Sequence, residues 1–202
     1  MNIAAVQTIR KIVLFAAIAL GVLVFAVTNS RHASDGTIHE MIEWIGIVLI
    51  VACILGRTWA SLYIGGRKID ALVMDGPYST MRNPLYFFSF LGAVGAGAQT
   101  GSVVIALICG LIAFAVFYIV VLQEEKLLLE RYGAPYRDYM ARVPRFLPNP
   151  ALWKDEPMLT IRPPRVLMTF ADALVFLLAV PAAEGFEYLQ ETGVFPVLFL
   201  LP

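Results

Sequence analysis

An all-α integral membrane protein with about five transmembrane helices is the fold class this sequence predicts. Three observations carry the prediction. Of 202 residues, 59% are hydrophobic and 15% charged, whereas soluble chains run at roughly 45–50% apolar and about a quarter charged. The mean hydropathy is +0.77. The apolar residues also arrive in long, nearly uncharged runs. The formal net charge is zero, which removes any global attraction to nucleic acid, so the bilayer is the expected partner surface. Cys53 and Cys109 sit inside separate apolar runs, and neither a disulfide nor a metal site is expected from them.

The elements follow in order. Ile12 to Thr28 is long enough to span. Val27-Thr28-Asn29-Ser30 lacks the small-x-small cleavage pattern of a signal peptide, so this span is retained. Glu43 to Gly56 is shorter and becomes a span when His39 to Ile42 form its wet first turn. Leu85 to Ala98 and Ser102 to Leu122 flank Gln99-Thr100-Gly101 and read as a helical hairpin. Gly92, Gly95 and Gly97 in its first arm allow close backbone approach. Val166 to Ala183 is the fifth span, interrupted by Asp172, and the apolar tail from Gly193 to Pro202 is too short to cross.

Basic residues favour the cytoplasmic side. Arg10 and Lys11 precede the first span; Arg57, Arg67, Lys68 and Arg82 lie between the second and third; Lys126 through Arg165 carry eight more between the fourth and fifth. Five spans put all of these on one face, with the N-terminus inside a bacterial inner membrane and the C-terminus outside. His32 and His39, in or beside the outer loop, read as solvated residues and not as metal ligands. The chain divides into N-terminal spans and connector (1–71), a motif region (72–148) and a C-terminal extension with one more span (149–202).

Two cytoplasmic segments carry chemistry. In the first, Gly76-Pro77 makes a turn, and Pro84 fits the first turn of the next helix with Asn83 placed to cap it. Arg82 therefore stands beside helix N–H groups that favour anions. It reads equally as a carboxylate-binding residue or as an interfacial arginine with anchoring tyrosines. The second segment begins at Glu124-Glu125, an acidic pair suited to an ammonium or a sulfonium. The helix breaks at Gly133, and a short helix from Pro135 sets Tyr136, Tyr139, Met140 and Val143 at i, i+3, i+4 and i+7, an amphipathic face for the membrane interface.

Gly76-Pro77-Tyr78, Arg82-x-Pro84-x-Tyr86, Glu124-Glu125 and Gly133-x-x-Tyr136-x-x-Tyr139-x-x-Arg142-Val143-Pro144 follow one another in the order and spacing of isoprenylcysteine carboxyl methyltransferases, which this chain resembles. Related phospholipid methyltransferases resemble the first two. The resemblance covers Leu72 to Pro148, somewhat over a third of the chain. It implies an S-adenosyl-L-methionine site made by the hairpin and the cytoplasmic amphipathic helix, and methyl transfer to the carboxylate of a prenylcysteine-like lipophilic substrate. Arg82 and Asn83 would hold the cofactor's carboxylate and Glu124 or Glu125 its ammonium. Tyr78 and Tyr86 would pack on the adenosine, with Leu72, Val73, Gly76 and Pro84 completing the cofactor pocket. Arg142 would orient the acceptor carboxylate or phosphate, unless it is a plain membrane-surface arginine, with Glu125 and Tyr139 as its catalytic companions.

Two departures stand out. The family usually has Arg-His-Pro where this chain has Arg82-Asn83-Pro84, and asparagine can donate to a carboxylate but carries no charge. The extension from Asn149 to Pro202 offers either a homodimer contact or a substrate wall. Rival readings are a phospholipid amine or thiol as acceptor, a sterol-reductase-like enzyme using NADPH, and a membrane scaffold without activity.

Overall fold

The computed structural model describes residues 21–23, 26, 28–30, 36–65 and 72–201. Most of the expected first span lies outside them, 12 of its 17 residues, as do Arg10, Lys11, His32, Arg67 and Lys68. The described elements are β1 (Thr28–Ser30), α1 (Thr37–Ile64), α2 (Pro77–Thr80), α3 (Pro84–Ala98), α4 (Val103–Tyr132), α5 (Ala134–Arg142), α6 (Pro163–Leu174), α7 (Ala179–Glu191) and β2 (Phe199–Leu201). Tight 3-10 turns occupy Pro150–Leu152 and Val175–Leu178. Among the described residues three helical runs, Thr37–Ile64, Val103–Tyr132 and Pro163–Glu191, are long and apolar enough to cross a membrane, and Pro84–Ala98 is a shorter apolar helix. The protein is an all-α membrane protein, with one pair of three-residue strands that the sequence did not announce.

The second helix does not stop at Gly56, where the sequence reading ended it. Glycine there is a packing device: a Cβ would fall 2.2 Å from the Phe88 ring. Arg57 therefore belongs to α1 and not to a cytoplasmic connector. The fifth span also differs, beginning at Pro163, passing through the 3-10 turn and reaching Glu191.

The fold resolves into two compact units. The first contains the described residues up to Ala52, Phe90–Tyr118 and the chain from Val175. Gly46 and Gly95 bring α1 and α3 close together, since a Cβ at Gly95 would lie 2.6 Å from the Gly46 carbonyl. Gln99 Nε2 donates to the Glu43 carbonyl at 3.1 Å. His39 is not a solvated loop residue. It lies in the first turn of α1, 2% exposed, packed on Gly101 and 3.3 Å from the Glu43 carboxylate. β1 pairs in parallel with β2, and Gln190 Nε2 donates to the Thr28 carbonyl at 3.2 Å.

The second unit, Cys53–Ser89 with Ile119–Leu174, has two apolar clusters. One joins Ala60, Tyr63 and Tyr78; the other joins Tyr136, Tyr139 and Val143 with Leu72, Met74, Leu128 and Leu129 against them. The tyrosine face of α5 is thus buried in protein, not laid on the membrane interface: the break at Gly133 folds it back onto α4. A strap of residues 149–155 laces the turn at 75–80. Asn149 N–H donates to the Thr80 carbonyl, Gly76 N–H to the Lys154 carbonyl, and Lys154 N–H to Ser79 Oγ. The Tyr63 hydroxyl donates to the Asp155 carboxylate at 3.0 Å, and Trp153 stacks on Trp59 with ring centroids 5.7 Å apart.

Gly76 is required twice over. Its φ is +58, and a Cβ would meet the Tyr63 ring at 2.2 Å. Gly133 has a similar φ of +61 but open space around it. Gly133→Ala is expected to cost about 1–3 kcal/mol of backbone strain, and Gly76→Ala distinctly more. Thermal unfolding of the two variants in detergent checks this; equal shifts would remove the Tyr63 contact from the explanation.

Candidate active site

Charge in the second unit is organised around Glu125, near the C-terminal end of α4. It is 4% exposed, and a carboxylate so far from water persists only with compensating partners. Arg145 supplies a fork, with Nε donating to Oε1 and Oε2 at 3.2 and 3.1 Å and Nη2 to Oε2 at 2.9 Å. Asn83 Nδ2 donates to Oε1 at 3.3 Å and to the Arg145 carbonyl at 3.2 Å. Arg82 Nη1 stands 3.6 Å from Oε1, too far for a hydrogen bond. Asn83 does end the turn into α3, but by its carbonyl, which accepts from the Tyr86 and Phe87 N–H groups; its side chain turns to Glu125.

Arg82, Asn83 and Glu125 border one cleft, about 570 Å³ including space open to solvent. Leu72, Val73, Tyr78, Arg82, Asn83, Pro84, Tyr86, Glu124, Glu125 and Tyr139 all line it, with Tyr136, Ile64, Leu85 and Leu128. Of the expected cofactor-binding residues, Gly76 alone stands outside the lining, where it shapes the turn that carries Tyr78. The Tyr86 hydroxyl donates to Glu124 Oε1 at 2.9 Å, and the Tyr139 hydroxyl to the Tyr78 carbonyl at 2.7 Å. Burial pushes the Tyr139 hydroxyl up, aided by Tyr136 and Glu125 and opposed by Arg82. Burial likewise pushes up Tyr136 and holds Tyr78 well above its ordinary value. All three remain neutral hydrogen-bond donors at physiological pH.

Several buried donors are left over. Arg82 Nε and Nη1 make no hydrogen bond, nor does the Tyr78 hydroxyl. Two guanidinium donors and a phenol therefore border a cleft with hydrogen bonds to give. Buried donors without partners are rare in native proteins, and an anion is the ligand they fit.

Arg142 does not join this group. It is exposed, absent from the cleft lining, and its Nε donates to the Asp138 carbonyl within its own helix at 3.3 Å. Two arginines that sequence reasoning passed over are placed closer to the chemistry. Arg145 follows the Val143-Pro144 of the last motif directly, and its signal was only its charge. Arg57 sits inside α1, its Nη1 donating to Ser89 Oγ, which itself donates to the Leu85 carbonyl at 2.7 Å. Arg57 Nε is buried without a hydrogen bond, and its charge acts on Tyr78. A lone cation following an apolar run was the signal for Arg57. Among the described residues no group of three His, Cys, Asp or Glu side chains is placed to hold a metal ion.

A family model described as phospholipid methyltransferase matches residues 41–135. The nickel-cobalt-cadmium resistance protein of Alcaligenes xylosoxydans xylosoxydans is 34% identical over 181 residues, 90% of this chain and 84% of that protein. The cobalt-zinc-cadmium resistance protein of Cupriavidus metallidurans is 34% identical over 161 residues, 79% of this chain and 74% of that one. Protein-S-isoprenylcysteine O-methyltransferase of Schizosaccharomyces pombe is 30% identical over 94 residues, 46% of this chain and 40% of its own length. No solved structure matches.

Proposed function

We propose a lipophilic carboxylate as the methyl acceptor, and S-adenosyl-L-methionine as the donor, of this chain, which belongs to the membrane methyltransferase family of the phospholipid and isoprenylcysteine carboxyl methyltransferases. The residues present fit the donor. The unbonded Arg82 donors suit its carboxylate, and Glu124, at the cleft wall, suits its ammonium. Leu72, Val73 and the tyrosines give apolar walls for the adenosine. When bound there, S-adenosylmethionine would supply a sulfonium methyl to a nucleophile aligned with it. The chain's own part is positioning, the main requirement of such a transfer. Tyr139 holds the turn that carries Tyr78, and Tyr86 fixes Glu124. Glu125, its oxygens engaged by Arg145 and Asn83, orients the arginines instead of taking the ammonium.

The observation that carries the acceptor class is Arg57, a guanidinium inside a membrane helix with a buried donor unused. A cation in a spanning helix is costly, and its usual reason is a ligand or an ion path. We give the acceptor-orienting role to Arg57 in place of Arg142: neither lines the cleft, but Arg57 is bonded to Ser89 of α3 and its charge is felt by Tyr78 in the cleft wall. A planar fork suits an anionic group, a carboxylate or a phosphate, while a protonated amine would be repelled by it. The acceptor's hydrocarbon chain, worth about 0.8 kcal/mol per buried CH₂, keeps it in the bilayer, and the basic residues of the sequence favour a cytoplasmic side for the cleft.

The test offers the detergent-purified protein methyl-labelled S-adenosylmethionine with three acceptors: a synthetic prenylcysteine, phosphatidylethanolamine and a long-chain thiol. Label in a base-labile ester of the first is expected. Label on the amine or thiol alone would overturn the acceptor class, and binding of NADPH in place of S-adenosylhomocysteine would overturn the donor.

A further inference from the structure

We infer that Arg145 is a positioning residue which, by occupying Glu125, keeps Arg82 free for the anionic end of the methyl donor; the inference rests on the donor site proposed above. Arg145 is not in the cleft wall, and its side chain is 30% exposed against 5% for Glu125. It acts through another residue.

The argument is one of competition for a single buried carboxylate. Glu125 has two cations within reach. Arg145 takes both oxygens with a fork at 2.9–3.2 Å, the arrangement in which a guanidinium and a carboxylate bind best. Arg82 is held off at 3.6 Å, near enough to be steered and too far to be captured. Because its partner is already occupied, Arg82 retains two buried donors with no hydrogen bond. Asn83, neutral, bridges Glu125 Oε1 and the Arg145 carbonyl and so fixes the fork to the same segment that carries Arg82. The Arg82 N–H to Pro144 carbonyl bond, 2.9 Å, ties the two arginine-bearing segments together from the other side.

Without the Arg145 side chain, Glu125 would be left buried with Arg82 as its remaining cation. A shift of well under 1 Å from 3.6 Å would convert that approach into a hydrogen-bonded pair, and the donors meant for the ligand would be turned inward. Weakening by this route has a distinctive signature. Neutralising Glu125 as well should release Arg82, so the double variant should bind better than the single one. A residue that merely propped up the fold would give additive losses.

The test titrates S-adenosylhomocysteine into detergent-purified full-length protein by calorimetry and follows ligand-free unfolding alongside. Arg145→Ala is expected to weaken binding at least tenfold, and Arg145→Lys to fall between it and the parent, since a point charge cannot occupy both oxygens. Arg145→Ala with Glu125→Gln is expected to regain at least threefold over Arg145→Ala alone. Binding within twofold of the parent in Arg145→Ala, or a double variant no tighter than the single one, would overturn the inference. If Arg145→Ala does not fold, the same comparison is made with Arg145→Gln, with and without Glu125→Gln. A parent protein that binds no S-adenosylhomocysteine overturns the donor site itself, and this inference with it.

Discussion

Arg82→Ala is expected to lose S-adenosylhomocysteine binding by a hundredfold or more while leaving the protein folded. One charge-assisted hydrogen bond contributes about 1.5–3 kcal/mol, and each 1.4 kcal/mol is about tenfold in affinity. Arg82 brings two buried donors that make no hydrogen bond, so the loss should lie at the upper end. The fold should survive because Glu125 keeps the Arg145 fork and the backbone bond from Arg82 N–H to Pro144 is untouched by the substitution. Arg82→Lys should recover little, since an ammonium cannot reproduce two fixed donors. Calorimetric titration beside ligand-free unfolding separates binding from stability. Unchanged affinity in Arg82→Ala would move the donor's anionic end elsewhere.

Arg57→Ala is expected to abolish methyl transfer, by about a hundredfold or more as misplacement of a reacting group commonly does, with cofactor affinity near that of the parent. The cost to the helix is small. Ser89 loses a donor to its oxygen but still donates to the Leu85 carbonyl, and alanine is the best helix former for the vacated position. Arg142→Ala, at an exposed site bonded to its own helix, should transfer methyl almost as the parent does. The measurement pairs cofactor titration with transfer to a synthetic prenylcysteine in both variants. The reverse result, with Arg142 indispensable and Arg57 dispensable, would return the acceptor role to α5.

Much of the cleft was legible in sequence because its residues are fixed by local chemistry. Gly76-Pro77, Pro84 and Gly133 punctuate the backbone, and the residues they space apart converge on the same wall. The rest depended on contacts that no local pattern encodes. Gly56 before Arg57 looks like a helix end, and only the Phe88 ring lying against it explains why the helix runs on. Tyr136, Tyr139 and Val143 have a spacing that fits a membrane face and a buried face equally; the packing of Leu72, Leu128 and Leu129 decides. His39 has no sequence signal for the Gly101 surface that covers it. Arg145 drew no notice because its partner lies 20 residues earlier, across the turn between α4 and α5.

The strap at 149–155 bears on how this chain can be cut or joined. Its bonds to Gly76, Ser79 and Thr80 reach the turn from which Tyr78 enters the cleft. A shortened gene ending at Pro148 would keep every recognisable motif and yet strip that turn of these three hydrogen bonds, uncovering the Trp59 ring as well. Reporter tags, split halves and chimaeras with related enzymes therefore have their nearest safe junction beyond Asp155, in the exposed stretch that leads to Pro163, although nothing in the motif pattern marks that stretch as a boundary.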